Sequence, residues 1–339
     1  IEEQIQYFAT PDHTSFRWNQ NYQKSLEDLR QLLSGLHLIP LRYYCDDDII
    51  EAIPRKDTHS GWNYILTGSR EKGENIEGIY KRYREAQIMA YLTGSFNKPI
   101  LPGVRTQASG EFDDNWNFSN TCKHKTRLVS MVDLYQIIAE LKYAKPFQEV
   151  ISHFDFYAGG KSPNQISSII SNFRSKYPQY VSLDYSRFDQ TISSWLIEDV
   201  FEIIIGCFEG LHDYEVALWN VVKDDFIHKN FITATGVVHA DKGVPSGSMF
   251  TQIIDTLVNW VMIRTYLNSV HAEGEMIIMG DDNLLYVRNG RSDHFNLKME
   301  ISSYISKNFG ITVNGTKSSS GLTYHHPEFL SRVWKPSGQ

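Results

Sequence analysis

The sequence predicts an α+β fold, because one chain of 339 residues combines a β-hairpin signal with several long helical patterns. Two apolar runs, 276–279 and 284–287, flank Gly280-Asp281-Asp282-Asn283, which is typical of a hairpin whose turn needs unusual dihedral angles. Apolar residues recur at helical spacing over 75–92, 195–207 and 249–268. Prolines and a glycine interrupt both patterns over 99–107, so we expect a loop that continues through 110–120.

Composition and charge limit the classes of protein that this sequence fits. Lys and Arg number 33 against 40 Asp and Glu, a net charge of −7, so binding of nucleic acid would depend on a local basic cluster. The three cysteines are widely spaced with no CxxC pair, which argues against a disulfide framework or a zinc site. No signal peptide or membrane-spanning apolar run is present, and we expect no membrane partner. The sequence begins at Ile1, and we expect it to belong to a longer protein.

Four aspartates occur at strand ends and turns. Asp281 and Asp282 adjoin at the hairpin tip, and adjacent acids repel each other unless a cation lies between them. Asp184 ends a short predicted strand, and Asp189 follows five residues later, before the helix at 195. Carboxylate oxygens are ligands of divalent ions, so this set predicts a metal site. Ordinary turn chemistry, with an Asx turn or a helix N-cap at Asp189, is the alternative.

A local basic cluster lies at Lys123, Lys125 and Arg127, and an apolar stretch follows it. Ammonium and guanidinium groups bind phosphate, and the apolar flank would anchor them in a core. A solvated charged surface is the alternative.

The segment 243–268 begins as a flexible loop with Ser246 and Gly247 and continues as a long helix. Thr251, Asp255 and Asn259 are four residues apart and therefore lie along one helix face. A polar stripe on so apolar a helix predicts contact with a ligand. Alternatively, the Thr and Asn side chains bond to helix or neighbouring backbone groups.

In their order, these segments resemble the motifs of viral RNA-dependent RNA polymerases. Motifs A, B and C correspond to Asp184-x4-Asp189, Ser246-Gly247-x3-Thr251 and Gly280-Asp281-Asp282. Motifs F, D and E correspond to 125–129, to Lys317 after 308–313, and to 329–332. The resemblance covers about 123–332, and the wording of motif B is similar to that of partitivirus-like and related enzymes of small double-stranded RNA viruses.

The resemblance implies a right-hand polymerase with an antiparallel-sheet palm and mostly helical fingers. The expected divisions are N-terminal fingers over 1–150, palm with motif A over 151–189, a fingers insertion and helix over 190–240, and palm with motifs B to E over 241–334. The thumb is expected to be largely absent from this sequence.

The resemblance also implies site roles, with Mg²⁺, or Mn²⁺ in its place, as the cofactor. Two ions suit phosphoryl transfer, and we expect Asp184 and Asp281 to bind both, with Asp282 as an auxiliary ligand. Lys317 is the expected general acid for pyrophosphate. The expected NTP-binding residues are Lys125, Arg127, Asp189, Ser246, Gly247, Thr251, Asp255 and Asn259. The expected RNA-binding residues are Arg105, Gln107, Lys123 and Arg332.

Recognition of ribose is expected at Asp189, whose carboxylate would accept a hydrogen bond from a sugar hydroxyl. Many relatives carry Asn where this chain has Asp255, and two nearby acids would compete. Which motif B residue contacts the sugar therefore stays open among Thr251, Asp255 and Asn259.

The implied activity is RNA-templated RNA synthesis in genome replication and transcription. The expected partners are RNA template and product, NTPs and viral capsid protein, in the virion interior or host cytoplasm. A reverse transcriptase shares the palm acids but would prefer dNTPs. A catalytically decayed RNA-binding protein inside the capsid would bind RNA without incorporating nucleotides.

Overall fold

The computed structural model describes residues 2–109, 123–288 and 294–334. The described helices are α1 Glu2–Phe8, α2 Gln20–Leu33, α3 Asp46–Ala52, α4 Asn63–Thr67, α5 Ile79–Thr93, α6 Leu134–Ile151, α7 Pro163–Lys176, α8 Phe188–Thr191, α9 Ser194–Ile205, α10 Asp213–Ile227, α11 Thr251–Val270 and α12 His294–Phe309. The described strands are β1 Leu101–Ser109, β2 Lys123–Met131, β3 Gln179–Ser182, β4 Lys229–Thr233, β5 Gly236–Ala240, β6 Glu273–Met279, β7 Asp282–Arg288, β8 Ser319–Leu322, β9 Glu328–Phe329 and β10 Arg332–Val333. The predicted α+β class is confirmed.

A four-stranded antiparallel sheet, ordered β6-β7-β3-β8, has apolar cores on both of its faces. Along the hairpin, Met276, Ile278 and Leu285 face the main core, which includes α11 and α12. Ile277 and Leu284 face a second core formed with α7. Because both faces are covered, the runs 276–279 and 284–287 are apolar at every position rather than at alternate ones.

The helix α11 is the most enclosed element of the main core, where it packs against α2, α9, α12 and β6. A helix that is apolar on all sides belongs in an interior, and this explains why polar groups along it must find partners there. The helices predicted over 195–207 and 249–268 are confirmed as α9 and α11 within about two residues. No helix in the described ranges is both long and apolar enough to cross a lipid bilayer.

The predicted helix over 75–92 begins later than expected. A short 3-10 helix occupies Lys72–Asn75, and α5 starts at Ile79 after Gly78, which has a φ of 63°. A left-handed residue ends one helical path before the next begins, and glycine adopts this conformation without steric strain.

The predicted loop over 99–107 is wrong, because most of that segment forms β1. This strand pairs antiparallel with β2 from Leu101↔Met131 to Ser109↔Lys123. A two-stranded ribbon consists only of edge strands, where proline is tolerated, so Pro102 and Gly103 do not break the pairing. The loop predicted over 110–120 lies outside the described residues.

The junction between β3 and β7 depends on the side chain of Asn283. Its Oδ1 accepts a hydrogen bond from the Leu183 N–H at 3.1 Å, and its Nδ2 donates to the Leu183 carbonyl at 3.1 Å. Both residues are buried. One amide thus satisfies the donor and the acceptor of the residue that directly precedes Asp184.

Replacing Asn283 with Leu should reduce the free energy of unfolding by about 2–5 kcal/mol, because both backbone groups of Leu183 would be buried without a partner. Urea unfolding measures the change. Asn164→Ala, at an exposed position in α7, is the control and should stay within about 0.5 kcal/mol of wild type. Equal stability of the two variants would contradict the role given to Asn283.

Candidate active site

A polar cavity of about 1100 Å³ lies where the β6–β7 turn, the end of β3 and the strands β9 and β10 meet. Its lining includes Arg127, Asp184, Asp281, Asp282 and Lys317. The fold therefore brings the predicted metal acids, one predicted NTP-binding cation and the predicted general acid to a single space.

The hairpin turn is tighter than the four residues predicted. Met279 pairs with Asp282 across the strands, so the turn consists of Gly280 and Asp281 alone. Gly280 has a φ of 64°, in the left-handed region that favours glycine. Asp281 consequently lies at the tip, whereas Asp282 begins β7 and Asn283 is a strand residue.

Backbone hydrogen bonds fix Asp184 at the end of β3. Its N–H donates to Ser318 Oγ at 2.9 Å, and its carbonyl accepts from the Asn314 N–H at 2.7 Å. The segment after α12 thus positions Asp184 without using its carboxylate. That side chain remains available to the cavity.

The carboxylates at this end of the sheet interact strongly. Desolvation raises the pKa of Asp282 to about 6, with further raising contributions from Asp281 and Asp184. Mutual repulsion of this kind favours binding of a cation, and a set of carboxylate oxygens fits a hard divalent ion such as Mg²⁺. Within the described residues, Asp184, Asp281 and Asp282 do not place one oxygen each within 4.8 Å of one another, so a shared ion requires side-chain rotation.

The ribbon of β1 and β2 supplies positive charge beside these acids. Arg127 lines the cavity and lowers the pKa of both Asp189 and Asp282, opposing the larger effect of desolvation. Arg105 is its direct partner in register. Like charges opposite each other on two strands are unfavourable without an anion between them, so this pair favours phosphate binding.

The other residues predicted to bind NTP or RNA in this ribbon lie at alternate positions of β2 or at the position paired with one of them. Lys123, Lys125 and Arg127 are alternate residues of β2, and alternate positions fall on one face of a strand. Gln107 is the register partner of Lys125. The pairing therefore groups the predicted NTP-binding and RNA-binding positions of this ribbon.

Comparison with known proteins decides the family. A sequence model of the family described as "Viral RNA-dependent RNA polymerase" matches residues 3–339. This chain belongs to that family. The resemblance based on the motifs is therefore confirmed, and members of this family use divalent metal ions and bind RNA and NTPs.

Individual relatives agree with the family match. The chain is 28% identical over 145 residues to the RNA-directed RNA polymerase of Cryptosporidium parvum virus 1 (strain KSU-1), covering 41% of this chain and 27% of the relative. It is 26% identical over 164 residues to the genome polyprotein of Ljunganvirus 1, covering 47% of this chain and 7% of that polyprotein.

A solved polymerase structure has the same fold. The crystal structure of the RNA-dependent RNA polymerase of a human picobirnavirus superposes with a TM-score of 0.71 at 17% identity, over 98% of this chain and 60% of that one. The right-hand polymerase fold is thereby confirmed. The chain spans about three-fifths of that structure and about a quarter of the first-named relative.

In the polymerase fold, the two acids predicted near the sugar lie on neighbouring helices. Asp189 is in α8, and desolvation followed by the charge of Asp281 raises its pKa to about 6. Asp255 is buried in α11, and burial, then the charges of Asp189 and Asp281, raises its pKa well above the ordinary value. Its Oδ1 is buried and accepts no hydrogen bond from any described residue.

The other two polar residues of the α11 stripe serve the protein itself. Asn259 Oδ1 accepts from the Tyr185 hydroxyl at 2.9 Å, and its Nδ2 donates to the carbonyls of Gly280 at 3.0 Å and Asp281 at 3.3 Å. The Thr251 hydroxyl lies 2.8 Å from the Pro245 carbonyl and 2.9 Å from the Ser248 carbonyl, to which it donates. These contacts are of the kind that the sequence left open as the alternative, and the NTP contacts predicted for Asn259 and Thr251 stay predictions.

The loop that contains Ser246 and Gly247 packs against β2 of the ribbon. Ser246 Oγ accepts from the Ser130 N–H at 3.0 Å. A Cβ added to Gly247 would lie 1.8 Å from the Ser130 carbonyl oxygen, so no side chain fits there. Both residues therefore position the loop against β2, and the contact with NTP predicted for them stays a prediction.

Of the predicted residues near the C-terminus, Lys317 lines the cavity and Arg332 does not. Lys317 is exposed in a turn at the cavity wall, as its predicted role requires. Arg332 lies in β10, but the wall is formed by its neighbours Ser331 and Val333. Arg332 is therefore not brought to the metal acids.

Sequence reasoning missed Glu140, a fully buried acid in α6. Its Oε2 accepts from Ser248 Oγ and from the Met249 N–H, each at 2.8 Å, while Gln136 Nε2 donates to Oε1 at 3.2 Å. Desolvation raises its pKa to about 7. The available signal was an acid within the apolar run 137–141, and its partner loop lies more than 100 residues away.

Glu140→Gln should change how stability depends on pH, because Gln keeps the hydrogen-bond acceptor but does not ionise. Folding raises the pKa of Glu140 from 4.5 to about 7. The protonated carboxyl therefore stabilises the folded chain fully below about pH 4.5, and this stabilisation is lost as the pH rises through about 7. Between pH 4.5 and pH 8, the free energy of unfolding of the variant should therefore rise by about 3 kcal/mol relative to that of wild type.

Urea unfolding across this pH range measures the difference. Glu149→Gln removes an exposed carboxylate from the same helix and should track wild type. Parallel stability curves for wild type and Glu140→Gln would show that Glu140 is ionised alike in the folded and unfolded states.

Proposed function

We propose that this chain catalyses RNA-templated RNA synthesis by transferring nucleotides from NTPs to an RNA 3′-hydroxyl. The observation that carries the proposal is the meeting of Asp184, Asp281 and Arg127 in one cavity of a viral polymerase fold. Carboxylates for metal ions and a guanidinium for phosphate are the groups that phosphoryl transfer requires.

Asp184 and Asp281 are the proposed ligands of Mg²⁺, for which Mn²⁺ would substitute, and Asp282 is auxiliary. Bound ions would lower the pKa of the attacking hydroxyl and neutralise charge on the triphosphate. The raised pKa of Asp282 supports this assignment, since the three carboxylates already repel one another. The Asn283 and Asn259 amides would hold the strand end and the turn in place during the reaction.

The chain's cations are proposed to act on the phosphates. Arg127 and Lys125 would orient the triphosphate so that the leaving group lies opposite the attacking oxygen. Lys317 would donate a proton to the departing pyrophosphate, since it lies exposed at the cavity wall. Arg105, Gln107 and Lys123 would contact template RNA, with a contact from Arg332 on the product strand outside the cavity.

Asp189 and Asp255 are the proposed readers of ribose. The unpartnered Oδ1 of Asp255 would accept a hydrogen bond from a sugar hydroxyl, which a deoxyribonucleotide lacks at the 2′ position. Asp189 lies close enough to raise the pKa of Asp255, so both would border the same hydroxyl.

We also propose a division of the chain into palm and fingers. The palm would comprise 151–189 and 241–334, which contain every strand of the four-stranded sheet. The fingers would comprise 1–150 and 190–240.

We further propose viral capsid protein as a partner and the virion interior or host cytoplasm as the place of action, in line with the viral relatives.

Asp281→Asn should slow templated incorporation of labelled NTPs with Mg²⁺ by about 10²–10⁴-fold, because loss of a metal ligand removes several kcal/mol of transition-state stabilisation. Asp47→Asn, on the exposed surface of α3, is the control and should retain the wild-type rate. RNA binding by both variants should be unchanged, which separates catalysis from folding.

A wild-type chain that binds RNA but incorporates nothing would refute the proposed activity. Preferential use of dNTPs would instead assign a reverse transcriptase. Retention of activity by Asp281→Asn would leave polymerase activity standing and overturn the metal assignment.

Asp255→Ala should lower the ratio of kcat/KM for NTP over dNTP by about 10–100-fold, because one hydrogen bond to ribose is worth about 1–3 kcal/mol. The loss should fall on NTP, while dNTP incorporation stays close to wild type. Single-nucleotide incorporation with each substrate measures the ratio, again with the Asp47 variant as control. An unchanged ratio would remove Asp255 from ribose recognition.

A further inference from the structure

An exposed cluster of His228, His239 and Asp241 lies at the base of the β4–β5 hairpin. His228 follows α10, His239 is in β5, and Asp241 directly follows that strand. One ligand atom from each residue lies within 4.8 Å of the other two, and in the described part of the chain no other group of at least three His, Cys, Asp or Glu does this. The proposed polymerase chemistry uses none of the three.

The two imidazoles converge on one oxygen. His228 Nδ1 is 2.8 Å and His239 Nε2 is 2.7 Å from Asp241 Oδ1. Donor atoms around a tetrahedral zinc ion are about 3.3 Å apart, given metal–ligand distances of about 2.0–2.1 Å. Slight separation of these atoms would therefore make room for an ion.

Asn230 orients the ring of His239. The two residues are register partners in the hairpin, and His239 Nδ1 lies 2.9 Å from Asn230 Oδ1. A carbonyl oxygen only accepts, so this contact places a proton on Nδ1 and leaves Nε2, directed at Asp241, as the ring atom that can bind a metal ion. A hydrogen bond from the other ring nitrogen to a carbonyl oxygen is typical of histidines that bind metal ions.

Hydrogen bonds, first that from His228, lower the pKa of Asp241, which keeps the carboxylate available as an anionic ligand. All three side chains are more than half exposed, so an ion would reach them without opening the core. Two nitrogen ligands and one oxygen ligand favour a borderline transition metal over Mg²⁺ or Ca²⁺, which prefer oxygen alone.

We propose that His228, His239 and Asp241 bind one divalent transition-metal ion, with Zn²⁺ as the representative, and that water completes the coordination. The site contains no cysteine, which is why the cysteine spacing gave no sign of it. Surface hydrogen bonding between histidine and aspartate is the alternative, and such exposed pairs contribute little to stability.

The site adjoins the loop that contacts Asp189. Asp241 is followed by Lys242, whose carbonyl accepts from the buried Lys229 Nζ at 2.9 Å. Two residues further on, the Val244 N–H donates to the Asp189 carbonyl at 2.6 Å. A bound ion would therefore tie the end of α10 to the segment that supports Asp189.

Equilibrium dialysis of the chain without an affinity tag against Zn²⁺, in excess Mg²⁺ to occupy the acidic cavity, tests the proposal. Metal content should show one more zinc per wild-type chain than per His239→Ala chain. Asn230→Ala keeps all three ligands and should bind this zinc about 10–100-fold more weakly, through loss of ring orientation. Coincident melting curves in EDTA would show that the variants fold.

His37→Ala is the matched control, because His37 also contacts a carboxylate, Glu209, at 2.6 Å, but no third His, Cys, Asp or Glu among the described residues completes a ligand group with them. It should retain wild-type zinc content. Equal zinc in wild type and His239→Ala would overturn the proposal, as would an equal loss in the His37 variant. The readout is binding alone, so the result is independent of polymerase activity.

Discussion

Repulsion among carboxylates is the constraint on which the centre of this molecule depends. Asp189, Asp255 and Asp282 have raised pKa values, first because they are buried and then because other aspartates of the group carry the same charge. Charges of one sign interact more strongly in a protein than in water. A fold that holds them together must therefore be stabilised elsewhere, and it is poised to bind cations.

Neutral amides supply that stabilisation. Asn283 joins Leu183 to β7, and Asn259 joins Tyr185 to the hairpin turn. An amide both donates and accepts, so it can secure backbone groups beside the acids without neutralising them. Lys or Arg at these positions would pair with the carboxylates directly and compete with metal ions. The choice of uncharged scaffold residues thus preserves the negative charge of the cavity.

The acids and the family were predictable from the sequence because local rules place them: Asp184 ends a strand and Asp281 lies in a turn. The pairing of β1 with β2 was missed, because Pro102 and Gly103 are tolerated only once the ribbon is known to consist of edge strands. The helical spacing correctly put Thr251, Asp255 and Asn259 on one face. Which of them retains a free polar atom depends on tertiary partners, which spacing alone does not specify.

The contacts that assemble the cavity join segments far apart in the chain. Asn283 and Leu183 are 100 residues apart, Ser248 and Glu140 are 108 apart, and Ser246 and Ser130 are 116 apart. Closing such loops costs entropy that the contacts made in the folded chain must offset. The Gly247 backbone, which leaves no room for a side chain beside Ser130, can dock only after the ribbon is complete. A cavity that binds metal or nucleotide therefore reports that these distant segments have come together, and not only that the β6–β7 hairpin has formed.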